Sequence, residues 1–317
     1  VPGDRTGPEL ALAEHGDPGI AFSWLCFGSE GRREQTLHTD QDNGILFDAA
    51  DAAEAEALRA RLLPLANSIN QDLAQCGFNH RDLHSFPTRR SSDLAQCGFS
   101  LCKGNVMAGN PELCLSRAEW AQRFAGFIRE ASPENLLGSS IYFDLRVVWG
   151  DEQGCEQLRQ SILAQVADNR IFQRMMADNA LRQRPPVGRL RDFVLTRQGN
   201  DKTATLDLKV QGLTPFVDGA RLLALANGVA ANNTLERLRQ LVSKGVIDAL
   251  DGAAFEEAYH FIQQTRMQQH QRQSRDNQPY SNRLDPDSLN HLDRRILRES
   301  LRQAQRLQSS LAQRYQL

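Results

Sequence analysis

Apolar residues come in two textures along the chain. Up to about residue 150 they form short runs, and beyond it they recur mainly at helical spacing. Residues 21–27, AFSWLCF, are an unbroken apolar and aromatic run that stops at Gly28, which predicts a buried strand. GSEGRREQT follows with small residues at a turn and polar residues after it, as where a strand hands over to a helix. NGILFD at 43–48 predicts a second short strand. Leu58, Leu62, Leu65 and Ile69 share one helical face, so a helix is expected through most of 49–74, with Pro64 starting a new segment or kinking it. In SRAEWAQRFAGFIREA at 116–131, Ser116 and Glu119 have capping-box spacing, and Trp120, Phe124, Phe127 and Ile128 supply an apolar helix face. IYFDLRVVWG at 141–150 reads as an apolar strand interrupted by Asp144 and Arg146.

After Gly150 helices are predicted over roughly 153–181, 215–231, 233–245, 251–272 and 288–315, with Asn233 and Thr234 as a helix cap. Residues 190–213 are the exception, two short segments flanking QGND that read as a hairpin or extended excursion. Residues 272–288 read as a loop. The pattern predicts an α+β protein: a mixed-sheet domain over 1–150 and a mainly helical domain over 151–317. One stretch breaks the pattern. The heptapeptide DLAQCGF stands at 72–78 and again at 93–99, separated by polar sequence without periodicity. A structural repeat would continue in register and be large enough to pack. SFPTRRSSDL between the copies resembles translated sequencing adapter, so 79–92 is read as a foreign insert forming a protruding loop; a genuine mobile loop is the alternative.

Composition narrows the classes. The 317 residues carry a formal net charge of −2, with 40% hydrophobic and 24% charged residues, which excludes a strongly basic nucleic-acid scaffold. No stretch approaches the 18 apolar residues of a membrane-spanning helix. The opening VPGDRTGPEL has neither a basic leader nor an apolar core, and its missing initiator Met suggests a piece of a longer chain. Six cysteines without zinc-finger spacing read as reduced, mostly buried thiols of an intracellular protein, and a cytoplasmic location is expected. The Arg-, Gln- and His-rich stretch from Arg266 to Arg306 lacks interleaved aromatic residues, so it reads as solvated helix faces and argues against a nucleic-acid partner. Met175 and Met176 read as core or interface.

Chemistry concentrates at Gly28, Ser29, Asp40 and Asp42. Carboxylates one residue apart on a strand share a face, and two like charges held close repel unless a cation sits between them. Asp40 and Asp42 are therefore a candidate divalent-metal clamp, the bland alternative being a turn or cap. A Gly-Ser turn leading into a helix offers backbone N–H groups and a hydroxyl to phosphate oxygens. Asp144 is costly inside an apolar strand unless it is a ligand or is paired, and it would supply a third carboxylate if the two strands are neighbours. In TLDLKVQG, Asp207 and Lys209 alternate with Leu206, Leu208 and Val210, which gives either a salt-bridged exposed face or a contact to base or phosphate. Arg221, on a Leu- and Ala-rich helix, could reach back toward that face.

GSEGRREQTLHTDQDNGILF resembles the active-site signature of polymerase-beta-type nucleotidyltransferases. More closely, the chain is similar to the nucleotidyltransferase domains of the DUF294 type, related to the bacterial PII-protein uridylyltransferase. FDLRVVWGDEQGCEQLR matches the third-acid strand of that family, and the segments beginning LRDFVLTRQGN and NRLDPDSLNHL resemble its C-terminal companion domain. The resemblance covers nearly everything from about residue 18 onward except 79–92. It implies a polymerase-beta-like fold with a helical substrate-binding domain, and transfer of an NMP from an NTP substrate to a hydroxyl of a protein or small-molecule acceptor. Gly28 and Ser29 would lie at the triphosphate, with Gly31, Arg32 and Glu34 matching the GR-E element and Arg32 pairing with phosphate. Asp40, Asp42 and Asp144 would be catalytic and would hold two Mg²⁺ ions, with Mn²⁺ as the substitute; in the reading in which Lys209 is more than a salt-bridged surface residue, it contacts the nucleotide. Such domains often follow cyclic-nucleotide-binding or CBS domains, which makes a catalytically weak nucleotide-sensing module of a bacterial signalling protein the second reading. The chain has GS where the uridylyltransferase has two glycines, and neither an HD-type phosphohydrolase signature nor an ACT-like ending, so the resemblance stops short of a bifunctional PII-modifying enzyme.

Overall fold

The computed structural model describes residues 9, 12, 16–37, 39–76, 99–100, 105–130, 136, 140–188, 193–195 and 204–317. The segment 79–92 read as an insert, and the second heptapeptide copy as far as Gly98, lie outside them. The chain divides into two compact units, residues 1–127 with 139–162, and residues 128–138 with 163–317.

The first unit is built on a mixed four-stranded sheet. β1 is Phe22–Cys26, β2 Thr39–Asp40, β3 Asn43–Phe47, β4 Phe99–Ser100, β5 Cys114–Ser116 and β6 Arg146–Trp149. The large sheet has the order β5-β3-β1-β6; β1 runs antiparallel to β3 and β6, and β3 runs parallel to β5. Every residue of β1 and β3 is buried, which is why these segments read as continuous apolar runs rather than alternating ones. Phe22, Trp24, Cys26, Ile45 and Phe47 pack in one cluster with Leu62, Leu65 and Ile69. Those last three belong to helix α2, Ala52–Cys76, which follows the single turn α1, Gly28–Gly31. α2 passes through Pro64 without a break. Leu62, Leu65 and Ala66 are buried around this exposed proline, and their packing offsets the hydrogen bond that it cannot make.

Helix α3, Arg117–Arg129, starts on the predicted capping box. Ser116 N–H donates to Glu119 Oε2 (2.7 Å) and Glu119 N–H to Ser116 Oγ (3.3 Å). The indole of Trp120 donates to the Ile45 carbonyl at 2.9 Å, which pins α3 to β3. Around it Phe27, Phe124 and Tyr142 form an aromatic cluster. Buried Arg59 ties α2 to this corner, donating from Nε to the Cys114 carbonyl and pairing with Glu119 and Glu56. Free thiols are buried at Cys26, Cys114 and Cys155, as expected from the apolar contexts. Burial pushes the Cys114 thiol up to about 12 and that of Cys155 to about 11, so neither ionises near neutral pH.

The second unit is dominated by helices. The predicted helix 153–181 is broken in two, α4 at Glu152–Ala167, whose residues up to Ile162 belong to the first unit, and α5 at Arg170–Ala180, because Asn169 caps the second piece by accepting from Phe172 N–H. Then come α6, Thr214–Ala226, α7, Thr234–Ser243, α8, Ala249–Arg275, and α9, His291–Tyr315. Asn233 caps α7 as expected, and Asp248 and Asn290 cap α8 and α9. α6 is buried along nearly its whole length, and Gly219 lets Leu307 of α9 approach where a Cβ would stand 3.0 Å from its Cδ2. Short strands β7, Leu206–Asp207, and β8, Arg283–Leu284, pair antiparallel. The described part of 190–213 thus pairs across the chain with a stretch read as loop, because strand pairing is chosen by long-range contact rather than by turn composition. Among the described residues, no helix is long and apolar enough to cross a membrane.

Candidate active site

The site follows from strand register. At the end of β1, Cys26 pairs with Asn43 on one side and with Arg146 on the other. Both neighbours run antiparallel to β1, so β3 and β6 begin at the edge where β1 ends. Asp42, just before Asn43, and Asp144, two residues before Arg146, therefore flank the turn that follows β1.

That turn is Phe27 to Arg33. Gly28 has φ +55°, a left-handed conformation, and a Cβ there would lie 3.2 Å from Asp42 Oδ2 and 3.7 Å from Ile141. At Gly31 a Cβ would lie 1.8 Å from the Asp144 carbonyl oxygen and 2.9 Å from that of Cys26. Only glycine lets α1 pack this closely on the 3₁₀ turn Ser140–Asp144. The two glycines of GSEGR thus have separate jobs: Gly28 turns the chain beside Asp42, and Gly31 admits the backbone carrying Asp144. No side chain caps the N-terminus of α1. Ser29 is half-buried beside it, and its carbonyl accepts from Glu34 N–H at 2.9 Å.

Asp144 does not sit inside a strand. Residues 140–144 form a 3₁₀ turn and β6 starts only at Arg146, because the close approach of Gly31 to the Asp144 carbonyl leaves no room for a neighbouring strand there. Its side chain is 0% exposed, and Arg32 Nη1 donates to Asp144 Oδ2 at 2.5 Å. The same guanidinium donates from Nε to Glu34 Oε2 at 2.7 Å. Arg32, expected at phosphate, thus bridges two carboxylates, and the pairing required of a buried acid is met by arginine. Arg146 reinforces the corner by donating to the Glu30 carbonyl at 3.0 Å.

Asp40 and Asp42 are not on one strand either: Asp40 ends β2, which pairs with β4, and Asp42 precedes β3. Gln41 separates them. Gln41 is buried, while Asp40 is exposed and Asp42 half-buried. An amide cluster that sequence reading missed fixes this arrangement. Asn70 Nδ2 donates to Gln41 Oε1 and Asn43 Oδ1, both at 2.9 Å, and Gln41 Nε2 returns a bond to the Asn70 carbonyl at 3.1 Å. Asn43 Oδ1 also accepts from Ala108 N–H, and Asn70 Oδ1 from Gly109 N–H. The available hint was Asn70 itself, a polar residue directly after Ile69 on the apolar face of α2.

Among the described residues no three His, Cys, Asp or Glu side chains are gathered to cage a metal. Magnesium does not need such a cage, since it is usually held by one or two carboxylates together with substrate phosphates. The hard oxygens of Asp40 and Asp42 fit that donor set, and the Asp144 carboxylate is engaged by Arg32. Lys209 lies in the second unit. It was expected on a strand with Asp207, but β7 ends at Asp207 and Lys209 stands, exposed, in a π-helical turn over Leu208–Leu213. The cause is Asp207, whose Oδ1 accepts from Lys209 N–H and Val210 N–H and so caps the turn. Arg221 is held locally by Asp218 at 2.6 Å.

The profile of the family described as "Putative nucleotidyltransferase DUF294" matches residues 5–82 and 79–134, and that described as "Putative nucleotidyltransferase substrate binding domain" matches 170–315. The chain belongs to the DUF294 nucleotidyltransferase family. The first match spans the Gly28 turn, Asp40 and Asp42 of this DUF294 protein, and its two pieces meet at the start of the segment read as an insert. The second spans Lys209 and most of the helical unit. No curated protein matches the chain.

Proposed function

We propose that this DUF294 protein transfers an NMP from a metal-bound NTP to a hydroxyl of a protein or small-molecule acceptor. The observation that carries this reading is the register of β1 with β3 and β6, which sets Asp42 and Asp144 on either side of the Gly28–Gly31 turn. The Gly28–Ser29 backbone at the start of that turn and the Ser29 hydroxyl face the triphosphate. Asp40 and Asp42 would hold Mg²⁺ together with the substrate phosphates, with Mn²⁺ as the substitute. The metal, when bound, neutralises phosphate charge and eases loss of the acceptor proton. Asp144, fully buried and paired with Arg32, braces the turn from behind rather than touching the acceptor. The acceptor oxygen bonds to the α-phosphorus as the bond to the β-phosphate oxygen breaks; pyrophosphate leaves and the hydroxyl proton is released.

The 2.5 Å Arg32–Asp144 pair also favours a second reading, nucleotide sensing with little turnover, since the third acid is already occupied. One experiment separates the two. The full chain is incubated with Mg²⁺, each labelled NTP and cell lysate, and calorimetry with Mg-NTP is run on wild type and Asp42→Asn. Transfer reads out as label on an acceptor together with pyrophosphate. Binding without label supports sensing, and equal affinity in wild type and variant rejects the Asp42 site.

A further inference from the structure

Several buried arginines are matched by carboxylates, Arg32 by Asp144 and Glu34, Arg59 by Glu119 and Glu56, Arg221 by Asp218, while buried Arg237 donates to the Ala231 carbonyl. Arg266, in α8 of the helical unit, is different. It is 6% exposed, and among the described residues its guanidinium makes one hydrogen bond, Nε to Asn282 Oδ1 at 2.6 Å, an oxygen that also meets His270 Nε2 at 3.2 Å. No carboxylate among the described residues lies within ion-pair distance of it. Among the described residues Asp207 is the carboxylate that acts on it, and its Oδ1 is turned to the N–H groups of Lys209 and Val210. Removal from water dominates at this guanidinium and pulls its pKa down. A charge buried without an anion is costly and is retained where a ligand supplies the anion.

We propose that Arg266 is the anchor of a phosphate-binding subsite in the helical unit, which receives a phosphate monoester group carried by the acceptor. The terminal nitrogens of the guanidinium offer the planar fork that pairs with two oxygens of one oxyanion. Two more cations are close to its neighbours along the chain. Arg283 stands across the β7–β8 pair from Asp207, and Lys209 is two residues beyond Asp207. The Arg266 fork, with further cations on neighbouring positions, suits a phosphate group carrying about −1.5 to −2 charge. The assignment of this phosphate to the acceptor rests on the transferase reading above.

The test is calorimetry and thermal melting of the full chain with inorganic phosphate as probe. Wild type should bind phosphate and melt higher in its presence. Arg266→Met, which replaces a buried charge with an apolar chain of similar length, should bind at least tenfold more weakly, melt no lower than wild type in phosphate-free buffer, and lose the phosphate-induced rise. Arg283→Gln should weaken phosphate severalfold without unfolding the chain. Acetate should not compete. Absence of binding to wild type, equal binding to Arg266→Met, or a lower phosphate-free melting point for that variant would overturn the proposal, the last by showing that Arg266 is structural. Equal competition by acetate would overturn the choice of phosphate. The Asp42→Asn variant separates the two sites: it should keep phosphate affinity while losing Mg-NTP affinity. Phosphate binding lost in Asp42→Asn but kept in Arg266→Met would reject the subsite and leave the transferase reading standing.

Discussion

Replacing Gly31 by alanine adds one methyl group at the most crowded point of the candidate active site. The new Cβ would lie 1.8 Å from the Asp144 carbonyl oxygen and 2.9 Å from that of Cys26. Both obstacles are backbone, one in the 3₁₀ turn and one in central strand β1, so no side-chain rotation relieves the clash. Overpacking commonly costs about 1–3 kcal/mol, and rigid neighbours on two sides put this case near about 3 kcal/mol. For a unit of this size each kcal/mol lowers the melting temperature by about 2–4 °C, so a fall of about 6–12 °C is expected. The three tryptophans, Trp24, Trp120 and Trp149, all lie in the first unit, so their fluorescence follows that unit's melting. Gly28→Ala is the control. Its strain is a left-handed φ of +55° and a 3.2 Å approach to a carboxylate that can rotate, which costs about 1–2 kcal/mol. A Gly31→Ala melting point within about 2 °C of wild type, or a larger loss in Gly28→Ala, would refute the packing argument.

Arg32→Gln leaves the buried Asp144 carboxylate without its cation and should cost about 3–5 kcal/mol, read as a lower denaturant midpoint of tryptophan fluorescence. Asn70→Ala leaves the buried amides of Gln41 and Asn43 short of partners; a loss of about 2 kcal/mol is expected in the same assay, together with weaker Mg-NTP binding as the Asp40–Asp42 segment loosens. Burial raises the Glu119 carboxyl, but its bonds with Arg59 and the Ser116 cap outweigh that and hold its pKa below the ordinary value of 4.5. A depressed carboxyl stabilises the fold above its unfolded pKa and loses that contribution as pH falls through the folded one. Wild-type stability should therefore drop on acidification from about pH 5 downward, and Glu119→Gln should show a shallower drop in urea melts across that window.

Local patterning was legible in the sequence wherever neighbouring residues alone decide the outcome. The apolar run ending at Gly28 became β1, Ser116 and Glu119 made their reciprocal cap, and Asn233 capped α7, because such features are set by burial periodicity and by bonds spanning three or four residues. Gly28, Asp42 and Asp144 also stood out as candidates, since a Gly-Ser turn after a strand and an acid amid apolar neighbours each demand an explanation. Tertiary structure alone decided who answers that demand. Arg32 reaches Asp144 across 112 residues of chain, and no local pattern records so distant a partner. Asp144 lies in a 3₁₀ turn rather than a strand because Gly31 packs on its carbonyl, and Lys209 leaves its expected strand because Asp207 turns its carboxylate onto the backbone ahead. The β7–β8 pairing and the bond from buried Arg266 to Asn282 depend in the same way on segments joined only by folding. Short-range hydrogen bonds and hydrophobic period are written into consecutive residues, whereas the partner of a buried charge is whatever group the packed chain brings beside it.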